Sequence, residues 1–407
     1  MASSSTKDTA HMTFFEYVAS LELPLKEIES ATNNFADENI IARGSYAHVY
    51  KGQLKQSGEL IDIVVRKCLK VDGPVVVNDI TMYKDLKHDN IISLFKVDDT
   101  KDQALTIHKY EANESLDKHL GGSTLTWMQR LQICVGVARA LRYLHFGLKG
   151  DDSVIHGNIK SSKILLDHNW EPKLHDFRCA VKVKRHHLYI SSNYNGTLQY
   201  KDPAFESTGG LTHKSDVFSF GVVLFEVLFG MKASIPDQDH WYFAQMVRQL
   251  YDEKRLDDKI DPDLRKQMDP QSLKLFSETA YFCLMEQRAK RPDMERIVKI
   301  LERAFQLHQH FVHPTATATV EGASSKLLQV INFVNFEVIV LNSSYCRQDT
   351  IIKLNKLSTT YTISFTVCCY KACLKRLKYP RIDETSSSYS VNPTNSKAKV
   401  GYEEGKM

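Results

Sequence analysis

Apolar and polar positions divide the chain into strands first and helices later. Leu25, Ile28, Ala31 and Phe35 fall at helical spacing, and Asn33 with Asn34 ends that helix. The stretch IIARGSYAHVYKGQL (40–54) alternates, turns and alternates again, as a β-hairpin does. IDIVVRK (61–67) is a β-branched run and predicts a buried strand. KHDNIISLFKV and LTIHKYEANESLDKHL predict a further strand pair and a short capped helix. TLTWMQRLQICVGVARALRYLH (124–145) predicts a long amphipathic helix. Its buried stripe is Leu131, Ile133, Val137, Ala140, Leu141 and Leu144. HKSDVFSFGVVLFEVLFG (213–230) predicts a buried helix, and the chain stays helical to about residue 308. This succession gives an α+β fold class. Residues 1–23 are expected to be disordered, 309–324 (HPTATATVEGASS and its flanks) a linker, and 325–407 a C-terminal extension of unknown fold. Within that extension, 325–370 is rich in Val, Ile, Thr and Phe and suits strands. The last stretch, from Glu384, is expected to be disordered.

Composition narrows the classes. The 407 residues are 43% hydrophobic and 25% charged, as in a soluble globular protein, and a formal charge of +4 gives no reason to expect nucleic-acid binding. Eight cysteines (68, 134, 179, 283, 346, 368, 369, 373) show no metal-ligand spacing with histidines, which points to reduced thiols in a cytosolic protein. The N-terminus shows no signal-peptide pattern, and Ala2 stands where myristoylation needs glycine. The longest apolar run, about 327–341, is broken by Asn332, Asn335 and Glu337. It falls short of the roughly 20 apolar residues of a membrane span. CCYKACLKRLKYPR (368–381) is basic and cysteine-containing, and would suit peripheral association with a membrane surface.

The chain is organised around VIHGNIKSSKILLDHNWEPKLHDF (154–177). It resembles the catalytic loop and metal-binding segment of protein kinases, H-R-D-x-K-x-x-N followed by D-F-G. Here these read His156-Gly157-Asn158, Lys160 and Lys163, then Asp176-Phe177-Arg178. Upstream, KEIESATNNF resembles the lead-in of plant receptor-like kinases. The Trp-x-x-Arg-Leu start and Tyr-Leu-His end of the 124–145 helix, DPAFE (202–206) and AKRPDM also match that family. The resemblance covers about residues 24–308 and is to plant receptor-like and Pelle-type serine/threonine kinases, near the receptor-like cytoplasmic branch. It implies a bilobal fold, with a β-rich N-lobe (about 36–110) and a helical C-lobe (about 111–308).

It also implies site residues. The glycines that lay backbone N–H groups over the ATP phosphates fall on Ala42, Gly44 and Ala47, so only the middle one remains. Val49, Val64, Leu165 and the hinge from His108 to Ala112 would form the adenine slot. The phosphate-holding lysine falls on Arg66, since using Lys67 instead would turn Arg66 toward a packed face. Its glutamate partner falls on Asp79. Glu206 would pair with Arg291, and Asp216 would cap the loop at 156–158. Lys160 would neutralise a γ-phosphate and Asp176 would ligate one magnesium. Asn158 replaces the catalytic aspartate, and an amide is not a base; losing such help costs about 10²–10⁴-fold. Lys163 replaces the asparagine that holds a second magnesium, and an ammonium has no lone pair for a cation. Arg178 replaces the glycine that lets the segment reorient.

Residues that build the fold are thus kept while those that carry out transfer are changed. The expectation is a pseudokinase, acting as a scaffold or allosteric partner of receptor-like or other protein kinases. It would be cytoplasmic, with possible placement at the inner face of the plasma membrane, with weakened ATP binding and doubtful use of Mg2+. The alternative is a weakly active Ser/Thr kinase built on Asp176, Lys160 and Arg66 or Lys67. The basic run Lys182, Lys184, Arg185, His186 and His187 is expected to be a solvated loop, with Ser191, Ser192 and Thr197 as candidate phosphosites.

Overall fold

A five-stranded antiparallel sheet, in the order β1-β2-β3-β5-β4, heads a computed structural model of the chain. The structure describes residues 12–44, 47–68, 73–100, 103–121, 124–184, 190–191, 196–235 and 238–313, and beyond them 337–342, 349–356 and 359–366. The strands are β1 (Ile40–Arg43), β2 (Ala47–Gln56), β3 (Glu59–Cys68), β4 (Lys96–Thr100) and β5 (Gln103–Lys109). Ser57 and Gly58 join β2 to β3, both with positive φ (52° and 90°), the backbone that a two-residue hairpin requires.

Alternation gives this sheet two different faces. Tyr50, Leu54, Ile63, Val65, Leu105 and Ile107 point one way, into a small core closed by Leu23 and by Ile28 of α2 (Leu25–Ala31). Gly52 lets that helix approach, since a Cβ there would lie 2.5 Å from the Ala31 carbonyl oxygen. The opposite face carries Val49, Val64, Arg66, Thr106 and His108, matched across the ladder as Val49–Arg66, Arg66–Thr106 and Val64–His108. Against it lies α3 (Gly73–Asp85), whose Asp79 and Tyr83 are buried.

The second lobe is helical. α4 (Trp127–Phe146) starts at a Thr126/Gln129 capping box and packs on α10 (Met294–Val312) and α6 (His213–Phe229). Every residue of α6 from Ser215 to Phe229 is buried, so the helix is enclosed on all sides, with Asp216 and Glu226 as its buried carboxyl groups. Between these helices run short strands β6 (Asp152–Ile155), β7 (Ile164–Leu166), β8 (Pro172–Leu174), β9 (Val181–Lys184), β10 (Ile190–Ser191) and β11 (Gly210–Leu211), with α5 (Ala204–Thr208) beside the last. The lobe is completed by α7 (Tyr242–Asp252), α8 (Pro262–Gln267) and α9 (Pro270–Cys283).

One expectation is corrected at the N-terminus. Instead of disorder over residues 1–23, Phe14–Leu21 forms α1, closed by a reciprocal Thr13/Glu16 capping box, with Tyr17 buried against the main core. Residues 1–11 lie outside the described residues. Toward the C-terminus, β12 (Glu337–Asn342), β13 (Asp349–Lys356) and β14 (Thr359–Thr366) form an antiparallel meander in a separate unit, residues 315–407. The basic cysteine-containing stretch 368–381, the stretch from 384 and most of the 309–324 linker lie outside the described residues. So do Arg185, His186, His187 and Ser192. Among the described residues, no helix is long and apolar enough to cross a membrane.

Candidate active site

Arg66 reaches the lobe interface because strand alternation turns it there. Its Nη1 donates to Asp79 Oδ2 at 3.0 Å and lies 3.7 Å from Asp176 Oδ1. Lys67 faces the other side of the sheet, with its ammonium 4.0 Å from the centre of the Phe35 ring. Asp79, though a methylene shorter than glutamate, does two things at once. Its Oδ1 also accepts from the Phe177 backbone N–H at 2.8 Å. The preceding residue, Asn78, donates from Nδ2 to the carbonyls of Phe177 and Ala180 at 3.3 and 3.0 Å. Helix α3 is therefore bolted to the start of the segment after β8.

A column of rings crosses the interface. His108 packs edge-on against Tyr83 at 5.0 Å, Tyr83 against Phe177 at 5.4 Å, and Phe177 against His156 at 5.0 Å. Burial lowers the pKa of both His108 and His156 to about 4, so both rings are neutral at pH 7. In His156, Nδ1 accepts from the Asn158 N–H at 3.2 Å and Nε2 faces the His175 carbonyl at 3.3 Å. Asp216 holds the same loop from below. Its carboxylate accepts from the backbone N–H of His156 (2.8 Å) and Gly157 (2.9 Å). Gly157 has φ 74°, and a Cβ there would lie 2.7 Å from the Cys179 carbonyl oxygen, so glycine is required.

This frame presents Asn158, which is 8% exposed. Its Oδ1 accepts from both the N–H and the hydroxyl of Thr197, each at 3.1 Å. The acceptor oxygen is therefore spent on Thr197, and what the side chain has left is an NH2 donor. Lys160 is part-buried, and burial lowers its pKa.

Asp176 stands at φ 69°, ψ 74°, a left-handed conformation costly for a side-chain-bearing residue. It is held there by Tyr83, whose hydroxyl accepts from the Asp176 N–H at 3.0 Å, and by the Asp79–Phe177 bond. Its carboxylate is enclosed by cations. Arg178 donates from Nε to Oδ1 at 2.6 Å and from Nη2 to Oδ2 at 2.8 Å, a bidentate pair. Lys163 donates to Oδ2 from the other side. Burial is the main force lowering the pKa of Lys163, with Arg178, Lys160 and Arg66 adding to it.

The residues expected to hold ATP occupy varied positions. Val49 and Val64 share the sheet face of Arg66. Leu165 alternates out from between the fully buried Ile164 and Leu166. Ala42 is exposed on β1, and Gly44 donates to the Ala47 carbonyl at 3.0 Å; Ser45 and Tyr46, the tip between them, lie outside the described residues. His108, at the start of the expected hinge, is 8% exposed on β5, with Nδ1 at 3.1 Å from the Ser93 carbonyl oxygen.

A matching family model, the protein kinase domain, covers residues 35–301. The chain belongs to the protein kinase family. It is 32% identical over 292 residues to the receptor-like protein kinase FERONIA of Arabidopsis thaliana, covering 70% of this chain and 32% of that one. It is 35% identical over 299 residues to the receptor-like protein kinase HERK 1 of the same plant, covering 72% and 36%. Its kinase domain is similar to those of plant receptor-like protein kinases, and the chain spans about a third of the length of those relatives.

Membership sharpens one correction and one misfit. Glu206 does not pair with Arg291. Glu206 is on the exposed side of α5 and pairs with Lys201 at 2.6 Å, whereas Arg291 is fully buried and pairs with Asp202 at 2.7 Å. The family uses ATP with magnesium, and the residues here do not fit the metal. A magnesium ion needs near-octahedral oxygen ligands at about 2.0–2.1 Å. Both Asp176 oxygens are engaged by Arg178 and Lys163, and an ammonium stands at the second ligand position. Sequence reasoning gave Arg178 a conformational role and missed its pairing with Asp176. The signal was an arginine two residues beyond a lone acidic ligand.

Proposed function

We propose that this kinase domain is a pseudokinase, a binding module that acts as scaffold or allosteric partner for receptor-like or other protein kinases. The observation that carries it is the Asp176 carboxylate, bridged on both oxygens by Arg178 and Lys163. Phosphoryl transfer needs metal on that carboxylate and a base at position 158. Here internal cations occupy the first, and an amide committed to Thr197 occupies the second. The contacts of α3 with Phe177 and Ala180, the ring column and the Asp216-anchored loop are built from the chain's own side chains and need neither group. ATP binding is kept in weakened form, since Val49, Val64 and Leu165 remain while two of three loop glycines are gone. Partners would be proteins of cytoplasmic signalling complexes, including those at the inner face of the plasma membrane.

The rival reading, a weakly active Ser/Thr kinase, draws on the intact Arg66–Asp79 pair and on Lys160 and Asp176. One assay separates the two: transfer of labelled phosphate from ATP by the whole chain, with magnesium or manganese. The pseudokinase reading expects none above a buffer control. Transfer that disappears in the Asp176→Ala variant would establish the weak kinase.

A further inference from the structure

The misfit of magnesium has a positive counterpart. The cleft gathers Arg66, Lys160, Lys163 and Arg178 around Asp79 and Asp176, with Asp117 facing Lys160, four cations against three carboxylates. The excess is 4 − 3, or one positive charge, within a largely buried site. We propose that this cleft binds a nucleoside triphosphate as a metal-free polyanion, with the Lys163 ammonium in the place of the divalent ion. This rests on the proposed function, in which the domain binds without transferring.

Two observations carry it. Arg66 has its Nε buried with no hydrogen-bond partner, a spare donor in a guanidinium otherwise committed to Asp79. Lys160 is part-buried and makes no ion pair among the described residues, with Asp117 acting on it only beyond ion-pair distance. An unsatisfied buried donor and a part-buried cation with no carboxylate in contact are both costly, and an incoming phosphate oxygen relieves both. An anion is drawn to such a group of cations, whereas a divalent cation is repelled by it. The base would lie between Val49 and Val64 of the sheet and Leu165 below. No group is transferred and no bond is made or broken.

Magnesium therefore becomes a competitor. It neutralises the triphosphate in solution, and the site has no free carboxylate oxygen with which to receive the complex. The experiment is isothermal titration of the whole chain with ATP, first in EDTA and then in excess magnesium. The expected result is binding in EDTA that magnesium weakens by about tenfold, equivalent to 1.4 kcal/mol. Adenosine and inorganic tripolyphosphate, titrated separately in EDTA, should each bind more weakly than ATP. Tripolyphosphate binding as tightly as ATP would overturn the nucleoside assignment.

The double variant Lys163→Asn, Arg178→Gly frees the Asp176 carboxylate and should reverse the effect, so that magnesium strengthens ATP binding. Its intrinsic fluorescence, compared with the natural chain, checks that it folds. Lys163→Ala provides an independent test and should weaken metal-free binding at least as much as magnesium does. Binding of ATP by the natural chain only with magnesium, or no binding in EDTA, would overturn the proposal. Metal-dependent binding without phosphate transfer would leave the scaffold function standing while removing this inference. Metal-dependent transfer would remove both.

Discussion

Replacing Asp202 with alanine would strand two guanidinium groups. Asp202 Oδ1 accepts from Arg291 Nη2 at 2.7 Å and from the Ala204 N–H at 3.0 Å; Oδ2 accepts from Arg288 Nε at 2.7 Å and from the Ser215 hydroxyl at 2.8 Å. Arg291 is 2% exposed and its other bonds go to the carbonyls of Met285, Lys214 and Glu286, so its charge has no other carboxylate partner among the described residues. Removing one member of a buried pair costs about 3–5 kcal/mol, because the remaining charge stays desolvated. Glu206→Ala removes only a solvent-screened pair with Lys201, which contributes little. All three tryptophans, Trp127, Trp170 and Trp241, lie in the kinase unit. Urea denaturation followed by tryptophan fluorescence therefore reports that unit without interference from residues 315–407. The midpoint should fall strongly for Asp202→Ala and hardly move for Glu206→Ala. Equal effects, or a larger one for Glu206→Ala, would refute the assignment of Arg291's partner. The pair also sets a pH dependence. Burial opposes ionisation of Asp202, but Arg291, Arg288 and Ser215 outweigh it and hold the pKa below the usual value. Its contribution is thus present above the unfolded aspartate pKa and is lost as pH falls through the lower folded one.

Arg66→Ala should cost about 3–5 kcal/mol by leaving Asp79 buried and unpaired, whereas Lys67→Ala, which loses only a contact with Phe35, should cost about 0.5–1 kcal/mol; the same denaturation experiment measures both. Glu226 on α6 is fully buried, and burial raises its pKa to about 7. Between the unfolded glutamate value and pH 7 the folded chain holds a proton that the unfolded chain has released, so stability declines over that window as pH rises. Glu226→Gln should abolish that decline, worth at most about 3–4 kcal/mol at roughly 1.4 kcal/mol per unit; identical pH–stability profiles for the two proteins would contradict it.

The fold was legible because its signals are local and repeated. Alternation in IDIVVRK was enough to send Arg66 and Lys67 to opposite faces, and the packing of each bears that geometry. The apolar stripe of α4 and the long apolar run of α6 announced a helical lobe. The N-terminal helix went unseen although Thr13 and Glu16 have capping-box spacing and Phe14, Tyr17, Val18 and Leu21 recur at helical intervals; eight residues are few for periodicity to stand out. Glu206 was misassigned because two acids lie four residues apart in DPAFE. Which of them faces inward depends on how short α5 meets Arg291, a contact across 89 residues for Asp202. The site was legible position by position and not as a whole. Asn158, Lys163 and Arg178 each read as a loss of function. That Lys163 and Arg178 converge on one carboxylate from positions 13 and 2 residues away depends on the left-handed turn at Asp176, which no residue type in the sequence declares.

In a pseudokinase of this build, transfer would be blocked at two places, by the amide at 158 and by cations on Asp176. The most direct measurement is labelled-phosphate transfer from ATP with magnesium, comparing the natural chain with Asn158→Asp, Lys163→Asn, Arg178→Gly combined. The natural chain should show no transfer and the triple variant measurable transfer, lost again when Asp176→Ala is added. Transfer by the natural chain that depends on Asp176 would contradict it.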